Sequence, residues 1–191
     1  MDNREKILKC ALDLFCARGY DAVGVQEIAE TAGITKPTLY YYFGSKRGLL
    51  ETLLQTEYRE LRRTIDEASW YEDDVPAMLY RVASAFIDYG IQNPKMYRLM
   101  MALFYSAREN EAYQAVKPIV VDFFQRIVQV FETASGRLGN MNGRQKQFAL
   151  GFIGIINHYL LFAEEKENEE LSVGEEVKKS LVHQFMYGIF S

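Results

Sequence analysis

Apolar residues recur at intervals of three and four along almost the whole chain, a spacing that places them on one face of an α-helix. Valine, isoleucine and threonine rarely alternate with polar residues, so few segments show the period of a β-strand. The pattern predicts a first helix from an Asn3 N-cap to about Arg18, where Gly19 ends it. A second, short helix is predicted from about Val25 to Ala32. The chain is therefore predicted to be all-α, with about nine helices.

A third helix, also short, is predicted just after Gly33, and most of its surface has nothing to pack against. Thr35 is the predicted N-cap, and Pro37 lies in the first turn, where a proline is tolerated. Leu39 and Phe43 are four residues apart and are predicted to face inward. The other positions carry a cation, a hydroxyl and three aromatic rings: Lys36, Thr38, Tyr40, Tyr41 and Tyr42.

The surface of this third helix suits either of two roles. Cations, hydroxyls and exposed rings contact the base edges and phosphates of a DNA groove well. A tyrosine-rich helix that packs inside a protein is an equal alternative when the segment is taken alone. The two short helices, however, are joined by a turn at Gly33-Ile34, which is the arrangement of a helix-turn-helix. The second helix of that motif reads DNA, so the third helix is predicted to be the reading element.

Later helices are predicted from the residues that commonly begin a helix. Ser45 is the predicted N-cap of a long helix. Asp74 and Asn93 each precede a proline in a first helical turn, so a helix is predicted to follow each of them. Pro118 is likewise predicted to begin a helix, separate from a short helical piece over about 109–115.

The last two helices are predicted over about 144–163 and 173–190. Ser172 and Glu175 predict a capping box at the start of the final helix. The charge-rich run over 164–170, between these helices, is predicted to be a solvated loop.

The composition supports a globular helical protein whose charge is unevenly distributed. Apolar residues make up 49% of the 191 residues, which is ample for a hydrophobic core. The net charge is −4, yet the first 50 residues carry seven Lys or Arg against six Asp or Glu. A near-neutral N-terminal segment on an acidic body can bind DNA when its cations face one way.

Other features argue against a secreted protein, a membrane protein and an enzyme. The first ten residues are charged rather than apolar, so no secretory signal is expected. The most apolar window, 148–163, contains Asn157 and His158 and is shorter than the roughly 20 residues of a membrane span. Cys10 and Cys16 are placed to form neither a local disulfide nor half a zinc site, which fits a cytoplasmic protein. The sequence shows no catalytic set, and we expect no enzymatic activity, metal or cofactor.

Four motifs stand near the N terminus: Ala17-Arg18-Gly19-Tyr20, Gln26-Glu27-Ile28-Ala29, Ala32-Gly33-Ile34-Thr35-Lys36-Pro37-Thr38-Leu39-Tyr40 and Tyr42-Phe43-Gly44-Ser45-Lys46. Together they resemble the DNA-binding domain of TetR-family transcriptional regulators, each at the spacing of that family. The match covers about a quarter of the chain. It implies a helix-turn-helix DNA-binding domain over residues 1–47 and a helical ligand-binding and dimerisation domain over 48–191.

The resemblance also implies how DNA is bound. It predicts a two-fold dimer whose third helices enter successive major grooves of a palindromic operator, about 34–36 Å apart. The positions that match the family's base contacts are Gln26, Lys36, Pro37, Thr38 and Tyr41. Phosphate contacts are expected from Tyr40, Tyr42 and Lys46, and Thr35 belongs to the same predicted DNA-binding set.

Two departures within this region bear on specificity and affinity. Gln26 takes a position that is often arginine in the family, and glutamine pairs best with adenine whereas arginine pairs best with guanine. The hypothesis is therefore that the operator carries an A·T pair there. The family usually has a hydroxyl pair that caps the second helix and contacts phosphate, and Val23-Gly24 stands in its place. The missing contact predicts a lower operator affinity, or one carried more by Lys46 and Tyr42.

The region between Val75 and Leu160 is rich in methionine and aromatic residues. Ordinary core is the simplest interpretation of any single one of them, but the group as a whole suits an apolar pocket between helices. We therefore expect an apolar or aromatic small-molecule effector. The predicted pocket residues are Phe86, Tyr89, Tyr97, Met100, Phe104, Phe123, Ile127, Phe152 and Tyr159.

The last two helices are apolar on more than one side, and Gly151 and Gly154 would permit a close approach of another helix. One apolar face must serve the chain's own core. The resemblance implies that the rest forms a homodimer, as a four-helix bundle with two helices from each subunit. The residues predicted at this interface are Phe152, Ile155, Val177, Leu181, Phe185 and Ile189.

These observations predict a bacterial, cytoplasmic, nucleoid-associated transcriptional regulator. We expect a repressor that binds a palindromic operator as a dimer and is released by an apolar or aromatic small molecule. The two sites are coupled if ligand and DNA prefer different conformers. The alternative is a helical small-molecule-binding or adaptor protein with weakened DNA binding, and the Val23-Gly24 departure is its support.

Overall fold

The structure is a computed structural model that describes residues 2–138, 141–163 and 173–188. These residues form nine α-helices and one 3₁₀ turn, Ser135–Arg137, and no strand occurs among them. The prediction of an all-α chain is confirmed. The helices are α1 Asn3–Arg18, α2 Val25–Thr31, α3 Lys36–Phe43, α4 Lys46–Ala68, α5 Val75–Gln92, α6 Pro94–Phe104, α7 Glu111–Thr133, α8 Gln145–Ala163 and α9 Glu175–Tyr187.

The helices belong to two compact units. The first unit contains the residues up to Arg59 together with Asn93–Val121, and the second contains Glu60–Gln92 and the residues from Asp122 onward. The helices α4 and α7 therefore each contribute to both units. The predicted functional boundary between residues 47 and 48 lies inside the first unit and stays a prediction.

The first unit is built around α1, which packs on α2 and α6. Ile7, Ala11 and Phe15 are buried along one side of α1, as their spacing predicted. The predicted cap at Asn3 is wrong by one residue. The Asp2 carboxylate accepts from the Glu5 backbone N–H at 2.8 Å, and the Glu5 carboxylate accepts from the Asp2 N–H at 3.1 Å. This reciprocal pair satisfies two orphan backbone donors and begins the helix at Asn3.

The helix α7 is continuous, and the predicted break before Pro118 is wrong. Pro118 lies inside the helix. A proline costs its own backbone hydrogen bond and crowds the preceding turn, but burial of Val116 and Ile119 on either side compensates. The helix begins instead after Asn110, whose side-chain oxygen accepts from the Ala112 N–H at 2.8 Å.

The core of the second unit lies where α5, α8 and α9 pack together. There α7 contributes Phe131 to a cluster of aromatic rings. The Phe131 ring lies 5.9 Å from the centroids of both Phe152 and Phe185, and those two rings lie 5.2 Å apart. The α5 helix approaches α8 closely at Gly90, where an added Cβ would come within 2.8 Å of Leu160 Cδ1. Only glycine fits there without moving the leucine.

The final helix begins differently from the prediction. Its N-cap is Gly174, with no side-chain cap, and Ser172 lies outside the described residues, as does the charge-rich run over 164–170. The helix is fixed to α5 by Lys178, which is only 5% exposed and whose Nζ lies 2.7 Å from Asp88 Oδ1 and 2.9 Å from Glu175 Oε1. A buried ammonium needs such carboxylate partners, so Lys178 fixes the register of α9 against α5.

The sequence predicts neither a membrane-spanning helix nor a local disulfide or zinc site at its two cysteines. Within the described ranges, no helix combines the length and the apolar character that crossing a membrane requires. Cys10 and Cys16 are both free thiols, half-buried and exposed respectively.

Candidate DNA-binding surface

The α3 helix is short and anchored by two side chains. Thr35 is its N-cap, with an extended backbone (φ −90°, ψ 153°), and its hydroxyl accepts from the Thr38 N–H at 3.4 Å. Leu39 is fully buried and Phe43 is 8% exposed. Gly44 ends the helix at φ +70°, in the left-handed region that favours glycine. The predicted cap and inward face are confirmed.

The turn before α3 sets the angle between the two helices of the motif. Gly33 has φ +65°, and the Ile34 N–H donates to the Ala29 carbonyl at 3.0 Å. This turn closes α2 against α3, with Ile28 and Ala29 buried beneath it. The predicted helix-turn-helix is therefore present.

The outer side of α3 presents a largely unpacked surface. Tyr41 is 85% exposed, whereas Tyr40 and Tyr42 are 41% and 39% exposed. The Lys36 Nζ lies 5.7 Å from the centroid of the Tyr40 ring, and the Tyr41 and Tyr42 rings meet edge to face at 5.5 Å. Exposed Pro37 and half-buried Thr38 complete the first turn. Folding alone gives no reason for this many exposed rings on eight residues, so the surface is suited to a partner.

Gln26 is exposed on α2, and its amide is already engaged. Its Nε2 donates to Glu30 Oε1 at 2.7 Å. Pairing with a base edge would exchange this hydrogen bond for contacts to the base. The neighbouring carboxylate thus orients the amide in this structure.

Lys46 does not extend into solvent as the phosphate-contact prediction suggests. Its Nζ lies 4.1 Å above the centroid of the Tyr20 ring, a cation–π distance, and the side chain is half-buried. Burial lowers the pKa of Lys46, and the Asp21 and Glu111 carboxylates oppose that shift. Sequence reasoning missed this arrangement, because Glu111 is 91 residues from Tyr20 along the chain and accepts its hydroxyl hydrogen bond at 2.6 Å.

Arg47 is a second cation at the start of α4 that the sequence-based site omitted. It is exposed, and its Nε donates to Glu51 Oε1 at 2.8 Å across one helical turn. Such an exposed pair contributes little to stability, so the guanidinium is readily available to another anion. Its position directly after Lys46 was the available signal.

The Val23-Gly24 departure has a clear structural consequence. Val23 is 1% exposed and therefore serves the core. Gly24 is the N-cap of α2, with φ −89° and ψ 152° and no side-chain cap. An added Cβ at Gly24 would meet no atom within 4 Å, so a hydroxyl side chain would fit.

The Gly24→Ser variant is expected to bind operator DNA about thirtyfold more tightly. Serine suits the extended N-cap backbone, and one hydroxyl–phosphate hydrogen bond worth about 1 kcal/mol would form in each subunit of a dimer. Fluorescence anisotropy with a labelled operator duplex measures the change. The Gly24→Ala control adds the Cβ without the hydroxyl, and an equal gain in that variant would contradict the phosphate contact.

The residues predicted to line a ligand pocket are divided between the two units. Phe86 and Phe123 are brought together in the second unit, with ring centroids 4.8 Å apart. A cleft of about 330 Å³ between α5 and α9 includes Tyr80, His183 and Tyr187 and none of the predicted residues. The pocket therefore stays a prediction. Tyr97, Met100 and Phe104 lie in the first unit; Phe86, Tyr89, Phe123, Ile127, Phe152 and Tyr159 lie in the second.

The predicted dimer residues are mostly covered by their own subunit. Phe152 is 2% exposed and packs in the ring cluster, so it does not lie on a free face. Ile155, Leu181 and Phe185 are half-buried, Val177 is 37% exposed, and Ile189 lies outside the described residues.

Sequence reasoning missed the apolar residues of α8 that are exposed. Leu150 is 60% exposed and Phe162 is 68% exposed, and both lie away from the buried stripe of α8, on either side of the exposed His158. Gly151 and Gly154 lie between them, and at Gly154 an added Cβ would meet no atom within 4 Å. We call Leu150, Gly151, Gly154 and Phe162 the α8 outer face. Exposed Lys146, Gln147 and His158 are interspersed with these apolar residues, so the hydrophobic pattern of α8 does not separate this face from the core.

No candidate metal site accompanies these surfaces in the described part of the chain. His, Cys, Asp and Glu side chains nowhere gather there in threes that could hold a metal ion.

Comparisons with known proteins agree with this geometry. Residues 7–53 match the family described as bacterial regulatory proteins, tetR family. Over 154 residues, the chain is 30% identical to the HTH-type transcriptional activator FasR of Mycolicibacterium smegmatis, an alignment that covers 81% of this chain and 68% of that protein.

Two solved structures share the fold over nearly the whole chain. The fatty acid degradation regulator FadR from Bacillus halodurans has a TM-score of 0.82 at 15% identity, covering 100% of this chain and 97% of that one. FadR from Bacillus subtilis, in complex with stearoyl-CoA, has a TM-score of 0.77 at 16% identity, covering 97% and 98%. At these identities the likeness concerns the fold alone.

Proposed function

Because the chain belongs to the tetR family of bacterial regulatory proteins and is a DNA-binding transcriptional regulator, we propose that it is a homodimeric repressor controlled by an apolar small molecule. It acts in the bacterial cytoplasm, at the nucleoid, on a palindromic operator. Its role is regulatory rather than catalytic.

The exposed side of α3 is the observation that carries this proposal. Eight residues present a lysine, a threonine and three tyrosines, while Leu39 and Phe43 alone hold the helix in place. One such helix makes too few base contacts for operator selectivity, and two copies in successive major grooves supply them.

The α8 outer face supports the dimer. Leu150 and Phe162 expose large apolar side chains, and Gly154 between them leaves room for the backbone of a second helix. Two-fold symmetry would place the same face of each subunit against the other, which suits a four-helix bundle built from α8 and α9.

The effector proposed here is an apolar molecule, and a long-chain acyl thioester is the first candidate. The support is the buried aromatic lining predicted around Phe86 and Phe123, together with the stearoyl-CoA bound by the Bacillus subtilis structure of the same fold. An effector that prefers a conformer unsuited to DNA lowers operator affinity by its own differential affinity, typically 5- to 150-fold.

Titration of the operator complex with stearoyl-CoA tests this part of the proposal. We expect release of labelled duplex at concentrations where the free protein binds the ligand, and no release by coenzyme A alone, which lacks the apolar chain. Reciprocity requires that operator DNA weaken ligand binding by the same factor. If ligands that bind the free protein never displace the duplex, the allosteric part of the proposal fails.

A further inference from the structure

Tyr20, Lys46 and Glu111 form a connected cluster within the first unit. The Tyr20 hydroxyl donates to Glu111 Oε2 at 2.6 Å, and the Lys46 ammonium lies on the face of the same ring, 4.1 Å from its centroid. Tyr20 itself is 5% exposed. One buried ring thus joins a carboxylate on α7 to the ammonium group of Lys46, the first residue of α4. We call these three residues the Tyr20 cluster.

A second carboxylate strengthens the negative field around this lysine. Asp21 follows Tyr20 and accepts a hydrogen bond from Asn110 Nδ2 at 2.7 Å. Asn110 and Glu111 are the residues at which α7 begins. Hydrogen bonds therefore join the start of α7 to Tyr20 and Asp21, which lie in the predicted DNA-binding domain, residues 1–47. We call this predicted domain the DNA-binding segment. Both carboxylates favour the charged form of Lys46, whose pKa burial lowers.

We propose that Glu111 competes with the operator phosphate for Lys46, so that the start of α7 sets how strongly the DNA-binding segment holds DNA. This inference rests on the proposed function and on the prediction, made from the sequence, that Lys46 contacts phosphate. To reach a phosphate, the Lys46 ammonium must move away from the Tyr20 ring. The attraction of the Glu111 carboxylate opposes this movement. The same carboxylate repels the incoming phosphate.

The position of Glu111 along the chain makes this competition adjustable. It is the first residue of α7, the helix that also carries Phe123 and Ile127, two of the residues predicted to line the ligand pocket. A shift of α7 along its axis would move the carboxylate relative to Lys46. Operator affinity would then change without any movement of the reading helix.

A structural tether is the simpler alternative for this contact, and two substitutions separate it from the competition. Glu111→Gln removes the charge but keeps an oxygen that accepts from the Tyr20 hydroxyl. Glu111→Ala removes both the charge and the acceptor. Glu109→Gln is the matched control, because it deletes the same charge from an exposed position two residues away.

The experiment measures the dissociation constant and its salt dependence for a duplex selected by the wild-type protein from a randomised pool. At 0.15 M salt, where partly buried charges are screened much less than exposed ones, we expect Glu111→Gln and Glu111→Ala each to bind about three- to tenfold more tightly. The slope of log K against log salt should steepen by roughly 0.9 for each phosphate that Lys46 newly contacts. Glu109→Gln should change affinity less than about twofold, because exposed charges are screened over about 8 Å at 0.15 M salt.

A Lys46→Met background completes the test. There the gain from Glu111→Gln should fall to that of the Glu109→Gln control, since the competing ammonium is gone. Any of three results would overturn the competition: an equal gain with and without Lys46, equal effects of Glu111→Gln and Glu109→Gln, or an effect of Glu111→Ala alone. None of these results would contradict operator binding itself. Failure of the wild-type protein to select any duplex would instead overturn the proposed function on which the inference rests.

Discussion

Replacing Lys36 and Tyr41 together with alanine is expected to lower operator affinity about a thousandfold. Tyr41 is 85% exposed and Lys36 is exposed at the start of α3, so neither side chain contributes to the core. A dimer would lose four contacts, and at about 1 kcal/mol each, the lower end for base contacts, the loss is roughly 4 kcal/mol. Fluorescence anisotropy with a selected duplex gives the change directly.

The matched control removes the same chemistry from elsewhere on the surface. Lys117 is exposed on α7, and Tyr105 is 73% exposed after α6. Alanine at both positions should leave operator affinity within about threefold of the wild-type value, because neither residue lies on α3. Thermal unfolding should be unchanged in both double variants. If the control variant loses as much affinity as the α3 variant, α3 is not the reading helix.

Glutamate at both Leu150 and Phe162 is expected to convert the dimer to a monomer and to reduce operator binding to the non-specific level. The substitutions place four charges in a dimer interface built on the α8 outer face, where they would lack partners. Specific binding typically exceeds non-specific binding by at least about 10³, so the expected loss is of that size or more. Analytical ultracentrifugation measures the assembly, and anisotropy measures the binding.

Glutamate at Trp70 and Val121 provides the control for this second prediction. Both residues are exposed, by 69% and 47%, and neither lies on α8 or α9. This variant should remain dimeric and should keep its operator affinity to within a few-fold. A dimer that survives glutamate on the α8 outer face would place the interface elsewhere. A monomeric wild-type protein would contradict the proposed dimer itself.

The elements that the sequence predicted well are those fixed by neighbours in the chain. The helix α3 is set by its Thr35 cap, by the spacing of Leu39 and Phe43, and by the glycines Gly33 and Gly44 that flank it. All of these signals fall within a dozen residues. Local hydrogen bonds and one turn of helix were therefore enough to position the motif.

The features that escaped sequence reasoning depend on distant partners or on ambiguous signals. Pro118 is equally compatible with starting a helix and with lying inside one, and only the burial of its neighbours decides. Lys46 is drawn onto Tyr20 by an environment to which Glu111 contributes from 65 residues away in the chain. The outer face of α8 is not marked by the hydrophobic pattern, because its exposed apolar residues are interspersed with the polar Lys146, Gln147 and His158.

Selection of bound duplexes from a randomised DNA pool by the wild-type protein tests the central claim most directly. We predict an inverted repeat whose half-site centres lie about 34–36 Å apart, one helical turn of DNA. An A·T pair is expected at the position read by Gln26. The Lys36→Ala, Tyr41→Ala double variant should enrich no sequence. Enrichment of the same repeat by that variant, or of no repeat by the wild-type protein, would contradict operator reading by α3.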